Sequence, residues 1–182
     1  MARQRIEQPE AGEHWVEQLA DGATVLIRPL REEDRERDKR FRSTLAYESR
    51  RFRFMTGLSG GLAGLEMQRT AHDLPPGLAY VALAHADGQL RQVGVCRCAA
   101  IPGGRHCECA VAVSEDWQRK GLGRLLLQRL VAAAQRNGFE CMVSMDLANN
   151  YAMHHLAKAL GFTSRYVRGD VSEIFHELDL RP

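Results

Sequence analysis

Net charge is nearly absent from this chain: 25 Lys plus Arg stand against 23 Asp plus Glu, a balance of +2 over 182 residues. A surplus that small excludes a dedicated nucleic-acid or membrane-surface protein, so any basic patch must be local. A long apolar run is missing too. The most apolar stretch, Leu122–Ala134, is interrupted by Arg124, Gln128 and Arg129, which argues against a membrane span. Met1–Glu10 is polar and charged with no apolar h-region, so no secretory signal is expected. The five cysteines are an odd number, and four of them form Cys-x-Cys pairs in strand-like segments. That usage fits reduced thiols in a cytoplasmic protein better than a disulfide framework. No internal repeat or low-complexity linker interrupts the chain. What remains is an ordinary globular composition, 45% hydrophobic and 26% charged, with a length that suits one domain.

Residues 1–20 show no strong period and read as a loose arm, tacked down by Trp15, so the domain is expected to span residues 21–182. The turn signal Asp21-Gly22 precedes a strand at Thr24–Arg28, which Pro29 ends. From Arg31 to Thr44 charges alternate in sign at helical spacing, the pattern of a solvated helix face with a structural role. Further helical pieces are expected at Glu48–Phe54 and Leu62–His72, where they would line a substrate groove. Leu78–Ala84 and Leu90–Ala100, joined at Asp87-Gly88, read as a β-hairpin, and His106–Val113 extends it to an antiparallel meander. Leu122, Leu125, Leu126, Leu130 and Ala133 recur at helical spacing, predicting a helix over Gly121–Asn137. A strand at Cys141–Asp146, a helix at Asn149–Leu160 and strands at Phe162–Val167 and Ile174–Leu180 complete an α+β pattern with one β-α-β crossover.

The segment Val111–Arg124 carries the most chemical information. A strand feeds a glycine-containing turn that opens a helix, and backbone N–H groups at such a start have no intrahelical partner and sit at the positive end of the dipole. Gly121 and Gly123 would let a phosphate approach closely, with Arg119, Lys120 and Arg124 adding charge. The dinucleotide motif G-x-G-x-x-G fails because Leu126 occupies the third glycine position, and no G-x-x-x-x-G-K-[ST] occurs, so a different phosphate ligand is called for.

Gln118-Arg119-Lys120-Gly121-Leu122-Gly123 resembles the acyl-CoA pyrophosphate loop, [Q/R]-x-x-G-x-[G/A], of the GNAT superfamily of N-acetyltransferases. Asn150, opening a helix that ends in Leu160-Gly161-Phe162, matches a second family element, and the resemblance extends over Asp21–Leu180. It is strongest toward the GNAT domains of bacterial protein lysine acetyltransferases. The residues behind this are Ile27-Arg28-Pro29-Leu30, Glu33-Asp34, Glu48-Ser49-Arg50, Arg53-Phe54, Glu108 ahead of Ala110–Val113, and Asp116-Trp117-Gln118. The resemblance implies a GNAT fold, a mixed and mostly antiparallel sheet of six to seven strands flanked by helices. It also implies a free-standing enzyme that moves acetyl from acetyl-CoA to a primary amine by direct attack in a ternary complex, with a protein lysine the favoured acceptor.

Glu108 is the implied base, because an amine with a reference pKa of about 10.4 must lose a proton before it attacks a thioester. The implied cofactor contacts are Val111, Ala112 and Val113, whose backbone would pair with pantetheine where the strand parts from Cys141–Asp146, together with Gln118, Arg119, Lys120, Gly121, Leu122, Gly123, Arg124 and Asn150. By alternation Glu108, Ala110, Ala112 and Ser114 share one sheet face, and Cys107, Cys109, Val111 and Val113 the other. Many GNAT enzymes carry a Tyr seven residues after the Asn as general acid; here that position is Ala157, so no general acid is assigned, although His154 or His155 could serve.

Competing readings stand beside these. A small-molecule amine acceptor, or a non-catalytic acyl-CoA-binding regulator, fits the same loop. Cys96, Cys98, Cys107 and Cys109 could be drawn as a zinc hairpin, but their x-one spacing favours packing, and no metal is expected. Gly57-Leu58-Ser59-Gly60-Gly61 satisfies the hydrolase elbow G-x-S-x-G without the strand array that motif needs. Arg50–Phe54 could touch an acidic partner, although its two phenylalanines packing inward is the commoner outcome. The expected partners are acetyl-CoA and an amine, not nucleic acid or membrane, and a homodimer stays open.

Overall fold

The computed structural model describes residues 6, 7, 9, 12–45, 77–86, 88–167 and 170–182. The helical pieces expected at Glu48–Phe54 and Leu62–His72, the Gly57–Gly61 motif and the Arg50–Phe54 run lie outside them.

Eight strands form one sheet in the order β1-β2-β3-β4-β5-β6-β8-β7. They are β1 Trp15–Gln18, β2 Thr24–Pro29, β3 Gly77–Ala86, β4 Gln89–Ala100, β5 His106–Val113, β6 Cys141–Leu147, β7 Thr163–Val167 and β8 Asp170–Asp179. Neighbours run antiparallel except β5 and β6, which are parallel. A parallel pair needs a crossover rather than a hairpin, and helix α2, Leu122–Arg136, supplies it. Helices α1, Arg35–Thr44, and α3, Tyr151–Ala159, complete the described helical set.

The α2 leucines explain why this segment is a helix on a sheet. Leu122, Leu126 and Leu130, one turn apart, are buried together with Leu127 and Ala133 against Cys96, Cys98, Cys107 and Cys109 of the central strands. A fully buried leucine contributes about 1.5 to 3 kcal/mol, so this stripe is a main source of cohesion. On the opposite face Phe41 and Leu45, from α1 and the residue after it, pack with Val81, Leu83, Val95 and Ala112.

Two expectations are corrected. First, the mixed, mostly antiparallel sheet is as expected, but it has eight strands where about six to seven were expected. The extra strand is β1, inside the stretch read as a loose arm: Trp15 pairs with Ile27 and Gln18 with Thr24. Trp15 does pin this segment, its ring 5.7 Å from that of Tyr80 and 4.4 Å from the Arg129 guanidinium. Second, the charges of Arg31–Thr44 are not all solvated, because Asp34, Asp38 and Arg42 are buried. Arg28 grips Asp34 with two hydrogen bonds of 2.6 and 2.8 Å, Arg31 N–H adds a third at 3.0 Å, and Arg37 also pairs with Asp34. Burial works against ionisation of Asp34, yet these bonds and the Arg28 and Arg37 charges outweigh it and hold the carboxyl below its ordinary value. Asp38 accepts from Gln92 at 2.8 Å and pairs with Arg42 at 3.3 Å, tying α1 to β4.

Candidate active site

Strand β5 runs beside β6 only briefly. His106 pairs with Cys141, Cys107 with Met142 and Glu108 with Val143, and there the pairing ends, although β5 continues to Val113 and β6 to Leu147. The strands therefore part at Glu108, and a fork opens between Cys109–Val113 and Ser144–Leu147.

Hydrogen-bond alternation decides what the fork presents. Ser114 N–H donates to Val93 O and Ile101 N–H to His106 O, both at 2.9 Å. In the β4–β5 register these mark the hydrogen-bonded rungs. Glu108, Ala110 and Ala112 thus direct their backbone groups to β4, while Cys109, Val111 and Val113 direct theirs into the fork. Ala112 is accordingly corrected: its backbone belongs to β4 and its methyl to the cluster around α1. Cys109 directs its backbone into the fork instead, and the parity of the ladder is the signal that finds it. Val113 O is engaged by Gln118 Nε2 at 3.0 Å, which closes the far end of the fork.

The loop that follows is a short 3₁₀ turn, Glu115–Trp117, and then Gln118–Gly121. Leu125 N–H is the first in α2 to donate back, to Gly121 O at 3.1 Å. The amides of Leu122, Gly123 and Arg124 therefore precede the helical ladder and lack intrahelical acceptors. Gly121 has φ +91° and nothing within 4 Å of a notional Cβ, so the backbone here is left-handed and open. Gly123 serves packing as well, since a Cβ there would meet Leu156 of α3 at 3.4 Å. Arg119 adopts φ 59°, a conformation that costs a non-glycine residue roughly 1 to 2 kcal/mol. Arg119 and Arg124 are exposed, and Leu122 is buried in the core. Lys120 departs from the expected pattern: its ammonium lies 2.9 Å from Asp21 Oδ2 and 5.1 Å from the centre of the Trp117 ring.

Glu108 is half-buried at the last rung before the fork, between Ala99 of β4 and Val143 of β6. Its parity with Ala112 puts its side chain on the α1 face, opposite α2, as the alternation predicted. Cys107 and Cys109 face α2 within the core. The Cys107 thiol is pushed up by its hydrogen bond with Cys98 and by burial, and that of Cys109 by burial first. These thiols stay protonated and pack as small apolar groups.

Asn150 caps α3. Its Oδ1 accepts from Met153 N–H at 3.1 Å and its Nδ2 donates to Asp146 Oδ1 at 3.1 Å. Asp146 is buried on β6 and also accepts from Ser144 at 2.7 Å. Burial raises its pKa, with Ser144, Asn150 and His154 working the other way. His176 is fully buried, its ring 5.3 Å from that of His154 and its Nδ1 2.7 Å from Ser164 Oγ. Burial, aided by His154, lowers its pKa to about 4. Ala157 is fully buried in the core, and His155 is exposed. Among the described residues no group of three or more potential metal ligands gathers, and no helix is long and apolar enough to cross a membrane.

A parallel pair that forks ahead of an open amide turn is the arrangement that the resemblance at Gln118–Gly123 implies for an acyl-CoA-dependent transferase. The family model described as "Acetyltransferase (GNAT) family" matches residues 43–162. Acetyltransferase PA5475 of Pseudomonas aeruginosa is 45% identical over 169 residues, covering 93% of this chain and 91% of that protein. The chain belongs to the GNAT acetyltransferase family. Among solved structures it resembles the GNAT domain of S. lividans PAT, with TM-score 0.72 and 23% identity over 94% of this chain and 99% of that one. It also resembles a cAMP-binding acyltransferase from Mycobacterium smegmatis, with TM-score 0.61 and 23% identity over 93% of this chain and 48% of that one. L-amino acid N-acyltransferase MnaT of Escherichia coli shares 44% identity over 64 residues, which is 35% of this chain and 37% of that protein.

Proposed function

We propose that this acetyltransferase moves acetyl from acetyl-CoA to a primary amine, with a protein lysine the favoured acceptor, by direct attack in a ternary complex. The observation that carries this reading is the parting of β5 from β6 at Glu108, because one point in the fold then offers an acyl-binding cleft and a base. The diphosphate of acetyl-CoA sits on the amides of Leu122, Gly123 and Arg124, where aligned peptide dipoles favour negative charge. Arg119 and Arg124 add charge from the solvent side, and Gly121 gives the backbone its open turn. Gln118 holds Val113 O and so shapes the cleft. Pantetheine lies along the fork and pairs its amides with the backbone of Cys109, Val111 and Val113. Asn150 seats the start of α3 beside it.

The thioester carbonyl then lies near the fork apex, where backbone N–H groups stabilise the developing oxyanion. The amine nitrogen attacks the carbonyl carbon, its proton passes to Glu108 directly or through one water, and the C–S bond breaks to release CoA thiolate. With Ala157 in the usual tyrosine position, solvent protonates the thiolate, which is already a fair leaving group near neutral pH.

The acceptor is argued from the resemblance to protein lysine acetyltransferases, which is analogy. A small amine is the second reading, favoured by the stretch shared with the amino-acid N-acyltransferase of E. coli. Steady-state kinetics on Glu108→Gln test the base: kcat should fall about 100-fold or more with acetyl-CoA affinity nearly unchanged. An unaltered kcat removes Glu108 from the mechanism. Comparing turnover on a lysine-containing peptide panel with turnover on free amino acids and polyamines decides the acceptor class.

A further inference from the structure

The turn between β1 and β2 reaches across to the loop ahead of α2. Asp21 divides its carboxylate between the two: Oδ1 accepts from Ala23 N–H at 3.1 Å within its own turn, and Oδ2 meets Lys120 Nζ at 2.9 Å. One residue earlier, Ala20 N–H donates to Lys120 O at 3.2 Å. The turn is itself braced, with Leu19 N–H on Ala23 O at 2.8 Å and Gly22 N–H on Leu19 O at 2.9 Å. Two consecutive residues of a tight hairpin therefore hold both the main chain and the side chain of one loop residue.

The loop has reason to need holding. Lys120 stands between Arg119 at φ 59° and Gly121 at φ +91°, two left-handed residues that local preference does not maintain, at least at the arginine. If Lys120 shifts, the amides that follow it no longer converge.

We propose that Asp21 and Lys120 form a positioning strut for acyl-CoA: the pair fixes the loop so that the amides of Leu122, Gly123 and Arg124 point at one diphosphate, and Lys120 acts through Asp21 instead of touching phosphate. This rests on the reading of that loop as the diphosphate site. The ammonium is already committed to a carboxylate and the Trp117 ring, whereas Arg119 and Arg124 are exposed beside the amides. The strut also makes a prediction of unusual sign. A carboxylate near an anion site repels the anion, so by charge alone the loss of Asp21 should tighten CoA binding; as a strut, its loss weakens it.

The test is calorimetric titration of CoA into the full chain as wild type, Asp21→Asn, Lys120→Met, the double variant and the swap Asp21→Lys with Lys120→Asp. Thermal unfolding without ligand checks each fold, and acetyl-CoA kinetics run in parallel. Each single variant should weaken CoA about two- to fivefold, the double should be no weaker than either single, and the swap should recover binding. The apparent KM for acetyl-CoA should rise while kcat of Asp21→Asn holds, a split that loss of folded protein would not produce. Binding by Asp21→Asn equal to or tighter than wild type overturns the strut, as does a Lys120→Met loss far exceeding that of Asp21→Asn, which would put Lys120 on the phosphate. In either case the diphosphate reading survives. No heat from wild type with CoA removes that reading and the strut with it.

Discussion

Around α1 a set of charges turns inward, and at the start of α2 two arginines turn outward. Arg28, Asp34, Asp38 and Arg42 are all buried, Arg28 of β2 paired with Asp34 just ahead of α1 and Asp38 paired with Arg42 within it. Arg119 and Arg124 are exposed next to helix amides without intrahelical acceptors. Both regions are rich in charge, and the sequence alone reads one as a solvated helix face and the other as a phosphate-binding turn. The difference lies in where each charge finds its opposite. Inside the protein the opposite is another side chain, so the charges govern stability; at Arg119 and Arg124 the opposite is, on the proposed reading, the diphosphate of acetyl-CoA, so those two charges govern affinity.

That division can be broken from its strongest side. Asp34→Ala strands the buried Arg28 guanidinium and should cost about 3 to 5 kcal/mol in urea unfolding, while the KM for acetyl-CoA of the folded fraction stays put. A shift in KM of similar size would blur the two classes. A second buried group adds a pH axis. Because the folded pKa of His176, about 4, lies below its ordinary 6.5, the unfolded state takes up the proton first. Stability is then full above about pH 6.5 and declines as pH falls toward 4, with about 2 kcal/mol lost by pH 5. Thermal unfolding from pH 7 to 5 should show this slope in wild type and a flatter one in His176→Phe.

On the outward side, Arg119→Ala with Arg124→Ala should raise the KM for acetyl-CoA about tenfold and lose that effect in high salt, with melting temperature unchanged. The smallest change is expected at Asn150, which belongs to both classes. Asn150→Ala removes a helix cap worth about 1 kcal/mol and should lower the melting temperature and loosen acetyl-CoA by modest amounts together.

The elements that depend on period were readable in the chain. Leucines one turn apart mark α2 nearly to its ends, and the alternation of Cys107 and Cys109 against Glu108 and Ala112 separates the two faces of β5. The loop Gln118–Gly123 was readable because its glycines sit at a strand-to-helix junction. What stayed hidden depends on partners far off in the chain. β1 is a four-residue edge strand, too short for a period to emerge, and its pairing with β2 is tertiary. The burial of Asp34 follows from Arg28 on another element. The Lys120–Asp21 pair is tertiary as well, because Asp21 lies on the β1–β2 turn, far from the loop in the chain. The fork follows from likeness, but which backbone groups it presents follows from hydrogen-bond parity between β4 and β5, which turns Ala112 toward β4 and Cys109 toward the fork.

The proposed transfer depends on backbone amides at the fork and at the start of α2 meeting acetyl-CoA, and residue-resolved hydrogen exchange of the protein with and without acetyl-CoA reads those amides directly. Exchange should slow on binding at Val111, Leu122, Gly123 and Arg124 and change little at Ala112, whose amide already faces β4. Unchanged rates at those four positions under saturating acetyl-CoA, or protection confined to another part of the sheet, would contradict it.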